Sequence, residues 1–208
     1  MQLRQARALT FEEYVTGEQW RTARLSSCPV CSGPVTSHGT YVRKRPQVAQ
    51  VARFYCAGCQ MTIGLLPDFY ASRMPGLLDD MEKVVAIAES AHSVEAAAEQ
   101  ARPADEADAV TLTSAMRWVR RRVRAIHRIL ATAIGLVPGR LEGCAPTVTS
   151  LQERLGTTRV LVALRELCAR HLHAIAEPLG LLGPPEGRAI AVRRGQQSMG
   201  PDPPAPTS

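Results

Sequence analysis

Two short motifs with identical spacing, Cys28-Pro29-Val30-Cys31 and Cys56-Ala57-Gly58-Cys59, decide the fold of the first third of this chain. A CxxC turn places two thiolates on one side of a tight loop, and two such turns supply the four soft ligands of a tetrahedral metal site. Residues 32–55 separate the motifs, which is long enough for a β-hairpin that brings them together. The spacing predicts a zinc ribbon with one structural Zn²⁺, held by Cys28, Cys31, Cys56 and Cys59.

Two other interpretations of the cysteines are disulfides and a redox-active CxxC. The N-terminus, residues 1–5, lacks the apolar region of a signal peptide, so we expect a cytoplasmic, nucleoid-associated protein in which paired cysteines bind metal. A thioredoxin-type motif would not come twice with ribbon-like strands between the copies. No run of about 18 apolar residues occurs, so no membrane segment is expected. Four cysteines fill a tetrahedral shell, which predicts a structural rather than a catalytic metal.

Around the motifs, β-favouring residues predict strands at Gly39–Val42, Val48–Phe54 and Met61–Ile63. Before them, Thr10 and Glu13 form the pattern of a capping box, which predicts a helix in the N-terminal segment. After them, apolar periodicity predicts helices over residues 77–91 and 94–101, the second capped by Ser93.

The C-terminal part is also predicted to be helical. Thr111 or Thr113 caps a third helix that runs to about Ile134, and an amphipathic stretch covers residues 158–176. The chain is thus predicted to be α+β, a small four-cysteine zinc ribbon built on a β-hairpin, followed by a mainly α-helical, helix-turn-helix-like domain and a C-terminal helix. The predicted segments are an N-terminal helical lead-in (1–27), the ribbon (28–75), the helical domain (76–137), a linker with the C-terminal helix (138–180) and a disordered tail (181–208).

Charge points to a polyanionic partner. The chain carries 25 Lys and Arg against 19 Asp and Glu, a formal net charge of +6, and all but Lys44 and Lys83 of its basic residues are arginine. A GC-rich genome explains an arginine excess by itself, but the planar guanidinium also fits phosphates and guanine edges. Two basic segments flank an acidic one over residues 79–108.

Three successive helices with an arginine-rich third helix match a helix-turn-helix layout, in which the third helix enters the major groove. The alternative is a solvated basic helix face, and residues 102–110 exceed the usual turn between the last two helices. The candidate base contacts are Thr113, Ser114 and Arg117. The candidate phosphate contacts are Arg120, Arg121 and Arg124 on the helix and Arg43, Lys44, Arg45 and Arg53 on the ribbon.

Residues 28–124 resemble the N-terminal region of bacterial insertion-sequence transposases and related uncharacterised actinobacterial zinc-ribbon proteins. The resemblance is carried by both CxxC motifs and by His38–Arg43, Arg53–Tyr55, Leu66–Phe69, Ser93–Ala98 and Thr111–Arg122. It implies DNA binding. In that family a separate RNase H-like domain with three acidic residues cuts DNA. After residue 124 the strands that such a domain needs are missing, and the only acids are Glu142, Glu153, Glu166, Glu177, Glu186 and Asp202. No phosphate loop or nucleophile elbow occurs either, so we expect no enzyme.

Two functions follow as expectations. The first is a DNA-binding accessory factor or transcriptional regulator of mobile-element origin, acting on double-stranded DNA. The alternative is an adaptor whose ribbon docks a transposase or RNA polymerase. The apolar stripe of the C-terminal helix fits either a homodimer or packing within the chain. Cys168, His171 and His173 hint at a second metal site, although a buried core cysteine is the favoured interpretation, and Cys144 has no assigned role.

Overall fold

The computed structural model describes residues 1–6, 9–44, 48–102 and 111–181. Its N-terminal half is built on a four-stranded sheet in the order β1-β4-β3-β2. The strands β2, β3 and β4 form an antiparallel meander, and β1 pairs in parallel with β4. Their bounds are Gln2–Gln5 (β1), Thr36–Arg43 (β2), Ala49–Cys56 (β3) and Met61–Pro67 (β4).

The meander corresponds to the three strands predicted from the sequence, each extended by a few residues. A register shift between Ser37 and Thr40 lets Gly39 adopt a positive φ of 74°, a conformation that glycine accepts without strain. Alternate residues of β3 point to opposite faces. Ala49 and Val51 belong to a large core shared with the helices, whereas Ala52, Phe54 and Cys56 belong to a smaller core beside the cysteines.

The N-terminal segment differs from the predicted helical lead-in because it begins with a strand. The capping box is present, since Thr10 and Glu13 exchange hydrogen bonds at the start of α1 (Phe11–Thr16), and a short α2 (Gln19–Thr22) follows. Strand β1 has no apolar alternation that would reveal it. Arg4 of β1 makes a bidentate ion pair with Asp68, at 2.7 and 2.9 Å, which holds the strand against the end of β4.

Among the described residues, seven helical segments follow the sheet. The fold is therefore α+β, as predicted, and no described helix has the length and apolar character needed to cross a bilayer. Their bounds are Leu78–Ser90 (α3), Val94–Ala101 (α4), Leu112–Leu136 (α5), Pro138–Leu141 (α6), Val148–Leu155 (α7), Val160–Leu167 (α8) and a 3₁₀ helix at Ala169–Ala174.

Helices α3, α4 and α5 pack on one another around a third apolar cluster of small residues, Val84, Ala97, Ala98, Ala115 and Val119. Ser93 caps α4, as predicted, by accepting a hydrogen bond from the Ala96 amide. Of the two candidate caps for α5, the structure has Thr111, which accepts from the Ser114 amide. The last part of the acidic segment noted in the sequence, residues 103–108, lies outside the described residues.

Two glutamates of α3 cap helices that lie far away in sequence. The carboxylate of Glu89 accepts hydrogen bonds from the amides of Val148 and Thr149 at the start of α7. The carboxylate of Glu82 accepts from Val160 and Leu161 at the start of α8. A carboxylate at a helix N-terminus satisfies free amides and complements the helix dipole. The sequence predicted a linker where α6 and the start of α7 occur, although α7 also has a local cap, since Thr147 accepts a hydrogen bond from the Ser150 amide.

The predicted C-terminal helix is divided at Cys168 into α8 and the 3₁₀ helix. Its apolar stripe is buried in the large core together with residues of α3 and α5. Packing within the chain therefore uses this stripe, and the face that was considered for a homodimer is covered in the monomer. The stripe consists of Val160, Leu161, Leu164, Cys168, Leu172 and Ile175.

Arg165 of α8 is completely buried and connects the sheet to the C-terminal segment. Its guanidinium donates to the carbonyls of Asp68 and Tyr70, both at 2.7 Å, just after β4. It also donates to Pro178 and Leu179, at 2.9 and 3.1 Å. Burial lowers the pKa of Arg165 to about 10, so it remains charged at neutral pH.

Replacing Arg165 with Met is expected to lower the free energy of unfolding by at least about 3 kcal/mol, because four buried carbonyls lose their donor. Arg165→Lys should lower the free energy of unfolding by less, since an ammonium group keeps the charge and up to three donors. Chemical denaturation measures both changes, with Arg170→Met as the exposed control. Equal stability of Arg165→Met and the control would contradict this role.

Glu89→Gln is expected to destabilise the protein by about 1–3 kcal/mol at neutral pH, because an amide cannot replace the carboxylate at four donors. Burial raises the pKa of Glu89, but hydrogen bonds from Val148, Thr149 and His127 outweigh it and lower the pKa below its usual value. The stabilisation is thus present above the unfolded pKa of about 4.3 and is lost as pH falls through the folded pKa.

Denaturation of wild type and Glu89→Gln at several pH values measures the difference between their free energies of unfolding. Effects of acid that are common to both proteins cancel in this difference. The difference should shrink below about pH 4.3. Exposed Glu99→Gln on α4 is the matched control and should change stability little at any pH. A pH-independent difference for Glu89→Gln would contradict the capping role of the carboxylate.

Candidate metal centre and arginine face

The four cysteines of the CxxC motifs converge at one end of the sheet. Their Sγ atoms all lie within 4.8 Å of one another. The Sγ–Sγ distance is 3.8 Å between Cys28 and Cys59 and 3.5 Å between Cys31 and Cys56. Four thiolates around one ion at a metal–sulfur distance of about 2.3 Å stand about 3.8 Å apart. The cluster therefore has the size of a tetrahedral metal site.

The two turns that carry the thiols have the same local form. The residue after each motif, Ser32 or Gln60, has a positive φ of 57° or 52°. A Cβ on Gly33 or Gly58 would lie 3.3 or 3.6 Å from the Cys31 sulfur, so glycine keeps the space beside the cluster open. The Val30 amide lies 3.4 Å from the Cys28 sulfur, as a donor to a thiolate would.

The electrostatics of the cluster favour a cation. Burial raises the pKa of the Cys28 thiol, but backbone N–H groups of Cys31 and Val30 outweigh it and lower that pKa to about 7. Hydrogen bonding with Cys31, followed by burial, raises the pKa of Cys59 to about 12. The thiol of Cys28 thus loses its proton readily, whereas the thiol of Cys59 keeps its proton beside the other sulfurs. A bound cation would offset the repulsion between neighbouring thiolates, since metal ligation deprotonates thiols outright.

Packing fixes the cluster on the smaller core of the sheet. Cys28 and Cys56 are buried with Ala23, Ile63 and Leu65, whereas Cys31 is exposed. Among the described residues this is the one group of three or more metal-ligating side chains close enough to share an ion. Cys168 is a buried core residue whose thiol pKa is raised by burial, and the structure gives no support to a second metal site with His171 and His173.

Helix α5 presents a continuous row of exposed arginines. Arg117, Arg120, Arg121 and Arg124, all predicted as DNA contacts, are exposed, and Arg128 continues the row. At about 100° per residue, these five side chains fall within an arc of about 100° and extend along about 16 Å. Thr113 and Ser114 are exposed at the N-terminal end of the helix. Arg128 is not among the contacts predicted from the sequence, although its helical spacing relative to Arg117, Arg121 and Arg124 places it on the same face.

None of the guanidinium groups of these five arginines has a hydrogen-bond or ion-pair partner within the described part of the chain; only the backbone carbonyl of Arg128 accepts from a side chain, that of Thr132. Helix α5 also contains no Asp or Glu. Its opposite face is buried through Ala115, Val119, Ile126, Leu130 and others. Arg122 is different, because its guanidinium stacks over the Trp118 ring at 4.1 Å and is half-buried. The five exposed arginines are referred to below as the arginine face.

The predicted basic residues of the ribbon are arranged differently. Arg43 donates to the carbonyls of Ala71, at 3.1 Å, and Met74, and it lies over the Tyr70 ring, so it holds the loop after β4. The Nε atom of Arg53 is buried without a hydrogen-bond partner in the described residues. Lys44 is exposed, and Arg45 lies outside the described residues. Lys44 is therefore more available than Arg43 for a contact with a partner at the surface, because the guanidinium of Arg43 already donates to backbone carbonyls.

Comparisons with known proteins give no relative. No protein-family model matches the chain, and neither the curated proteins nor the solved structures include a significant match. The functional interpretation therefore depends on the site itself.

Cys56→Ser is expected to abolish stoichiometric binding of a divalent metal and to lower the melting temperature, because three thiolates leave the tetrahedral shell open. Titration of the metal-stripped protein with Co²⁺ reports thiolate coordination through its visible absorption. Cys144→Ser, a cysteine outside the cluster, is the matched control and should bind one equivalent. The same spectrum and stoichiometry in Cys56→Ser and wild type would contradict the assignment.

Proposed function

We propose that this protein is a non-catalytic, zinc-dependent DNA-binding protein, and the unpaired arginine face of α5 is the observation that carries the proposal. A row of guanidinium groups without internal partners in the described chain is available to neutralise phosphates along a duplex. Its length of about 16 Å suits a helix lying in or along the major groove.

The three-helix arrangement supports a helix-turn-helix mode of binding. Helices α3, α4 and α5 contact one another, and α5 is held from behind by the third apolar cluster. Thr113, Ser114 and Arg117 at its N-terminal end are the proposed base contacts, while Arg120, Arg121 and Arg124 are the proposed phosphate contacts. The connection from Arg102 to Thr111 is longer than the usual turn of this motif, so either the motif has a longer connection than usual or α4 is not part of it.

Zn²⁺ is the metal that we propose for the cluster, because four thiolates in tetrahedral geometry favour it over hard cations. Cys28, Cys31, Cys56 and Cys59 would hold the ion, whose role is to stabilise the turns and the hairpin. Four protein ligands leave no coordination position for a reacting group, which supports a non-catalytic role. The transposase resemblance of residues 28–124 supports an accessory factor or transcriptional regulator of mobile-element origin, acting in the cytoplasm at the nucleoid.

The alternative is an adaptor that docks a transposase or RNA polymerase through the ribbon. One observation favours it: β2 lies at the edge of the sheet and is largely exposed, so its outer side could pair with a strand of a partner. Val42 and Val48 are the exposed large hydrophobic residues of the described chain, and they flank the β2–β3 connection. Co-purification of such a partner after nuclease treatment would favour this function.

The combined variant Arg117→Gln, Arg121→Gln, Arg124→Gln is expected to weaken duplex DNA binding at least tenfold. Phosphate contacts by Arg120, Arg121, Arg124 and Arg128 give a slope of log affinity against log salt of about −3.6, and removing two of them should lower its magnitude by about 1.8. Fluorescence anisotropy with a labelled random-sequence duplex, over a series of salt concentrations, measures both quantities.

Two comparisons make this test specific. Arg170→Gln removes one exposed arginine outside the arginine face and should leave both affinity and slope nearly unchanged. The melting temperature of the triple variant should stay close to that of wild type, because these side chains have no partners among the described residues. If the triple variant binds duplex DNA with the wild-type slope, the arginine face is not the binding surface.

A further inference from the structure

A groove opens on the sheet face that points away from the large helical core. Its volume is about 590 Å³. The floor contains Ala52 and Phe54 of β3, and one wall is formed by Trp20 of α2 and the residues that follow it. Ser37 and Thr40 of β2 and Gln50 of β3 line the other side. The metal cluster and the arginine face do not contribute to this lining.

The groove lies in a part of the chain that has basic but no acidic residues. From Gln19 to Pro67 the sequence contains no Asp or Glu, and Arg21 and Arg24 both line the groove. Arg21 pairs with Glu18 at 2.6 Å, an exposed ion pair at the start of this segment. An anion in the groove would therefore meet positive charge without a competing carboxylate in the lining.

Arg24 is oriented as a preformed anion contact. Its Nη1 atom donates to the carbonyls of Arg21 and Ala23, at 3.1 and 2.9 Å, which fixes the plane of the guanidinium. The Nε and Nη2 atoms have no partner in the described residues. Because a guanidinium binds phosphate through two parallel N–H groups, an anchored fork loses little freedom on binding.

The opposite side of the groove offers neutral hydrogen-bonding groups. The Thr40 hydroxyl donates to the Gln50 side-chain oxygen at 2.7 Å, which leaves the Gln50 amide nitrogen free to donate. Ser37 is exposed beside them. An aromatic and aliphatic floor between an arginine and amide or hydroxyl groups fits a flat, apolar ring that carries a phosphate.

We propose that this groove binds a nucleotide unit of single-stranded nucleic acid, with the base against Trp20 and the phosphate on Arg24. Single-strand sites combine a positive groove with aromatic surfaces on which bases lie. This site is separate from the arginine face, so the protein would bind duplex DNA on α5 and an unpaired strand on the sheet. The proposal goes beyond duplex binding and does not require it.

Trp20 supplies a direct optical test. In a Trp118→Phe background, Trp20 is the sole tryptophan, since the chain has two. Titration of the full chain with a short oligothymidine strand should quench its fluorescence saturably, because a base would lie on the indole. Arg24→Gln in the same background should weaken binding about tenfold by loss of a charged hydrogen-bond pair. Ser37→Glu, which places an acid at an exposed lining position, should weaken it at least as much.

Matched controls separate this site from the arginine face. Arg170→Gln should not change oligothymidine affinity, and the triple α5 variant should keep the Trp20 quenching while losing duplex affinity. Melting temperatures of Arg24→Gln and Ser37→Glu near that of the parent establish that the fold is intact. Quenching by both the strand and a free thymidine monophosphate would support a nucleotide site, with tighter binding of the strand expected from further phosphates.

Three results would overturn the proposal. The first is unchanged oligothymidine affinity in both Arg24→Gln and Ser37→Glu. The second is loss of Trp20 quenching in the triple α5 variant alone, which would place the strand on the arginine face. The third is displacement of the strand by an acidic peptide but not by thymidine monophosphate, which would assign the groove to an extended acidic segment of a protein.

Discussion

The buried guanidinium of Arg165 is the constraint on which the architecture depends. A charged group without access to water is tolerated only when its donors are satisfied, and Arg165 satisfies them with four carbonyls from two distant stretches of backbone. The loop after β4 and the segment after the 3₁₀ helix must therefore stay in place around α8. Arg4 and Asp68 extend this connection to β1, so the first and last described segments are joined through one network.

This network makes the ribbon part of a larger unit. One face of the sheet contributes Val51 and Leu66 to the core that also contains Ile126 of α5 and Leu164 of α8. Glu82 and Glu89, seven residues apart on α3, fix the starts of α8 and α7 in the same unit. The cysteine cluster lies on the other face, in a core of its own. The four cysteines thus join the two ends of the hairpin, while the helices hold the sheet.

The structural features that could be predicted from the sequence are those that depend on residues close together in the chain. The CxxC turns, the Thr10 capping box and the Ser93 cap need only neighbouring residues, and all of them are present. Strand β1 and the role of Arg165 depend on partners that are distant in sequence, and neither was predicted. Helix α7 was missed although it has a local cap, because Thr147 lies in a stretch rich in Gly, Pro and Thr. The exposure of the candidate DNA contacts was predicted in part. The predicted arginines of α5 are exposed, whereas the guanidinium of Arg43 donates hydrogen bonds to backbone carbonyls.

The acidic residues explain why a modest net charge produces a strongly basic surface. The acidic segment after the sheet should oppose the arginine-rich segments that flank it, yet several of its carboxylates serve internal contacts. Glu82 and Glu89 cap helices, and Asp79 pairs with Arg159 at 3.0 Å. These acids therefore neutralise helix amides and a structural arginine, and they are not available to the arginine face. Because these acids are held by other groups, the arginine face stays without an acidic partner among the described residues, and a polyanion would meet locally positive charge although the formal net charge is only +6.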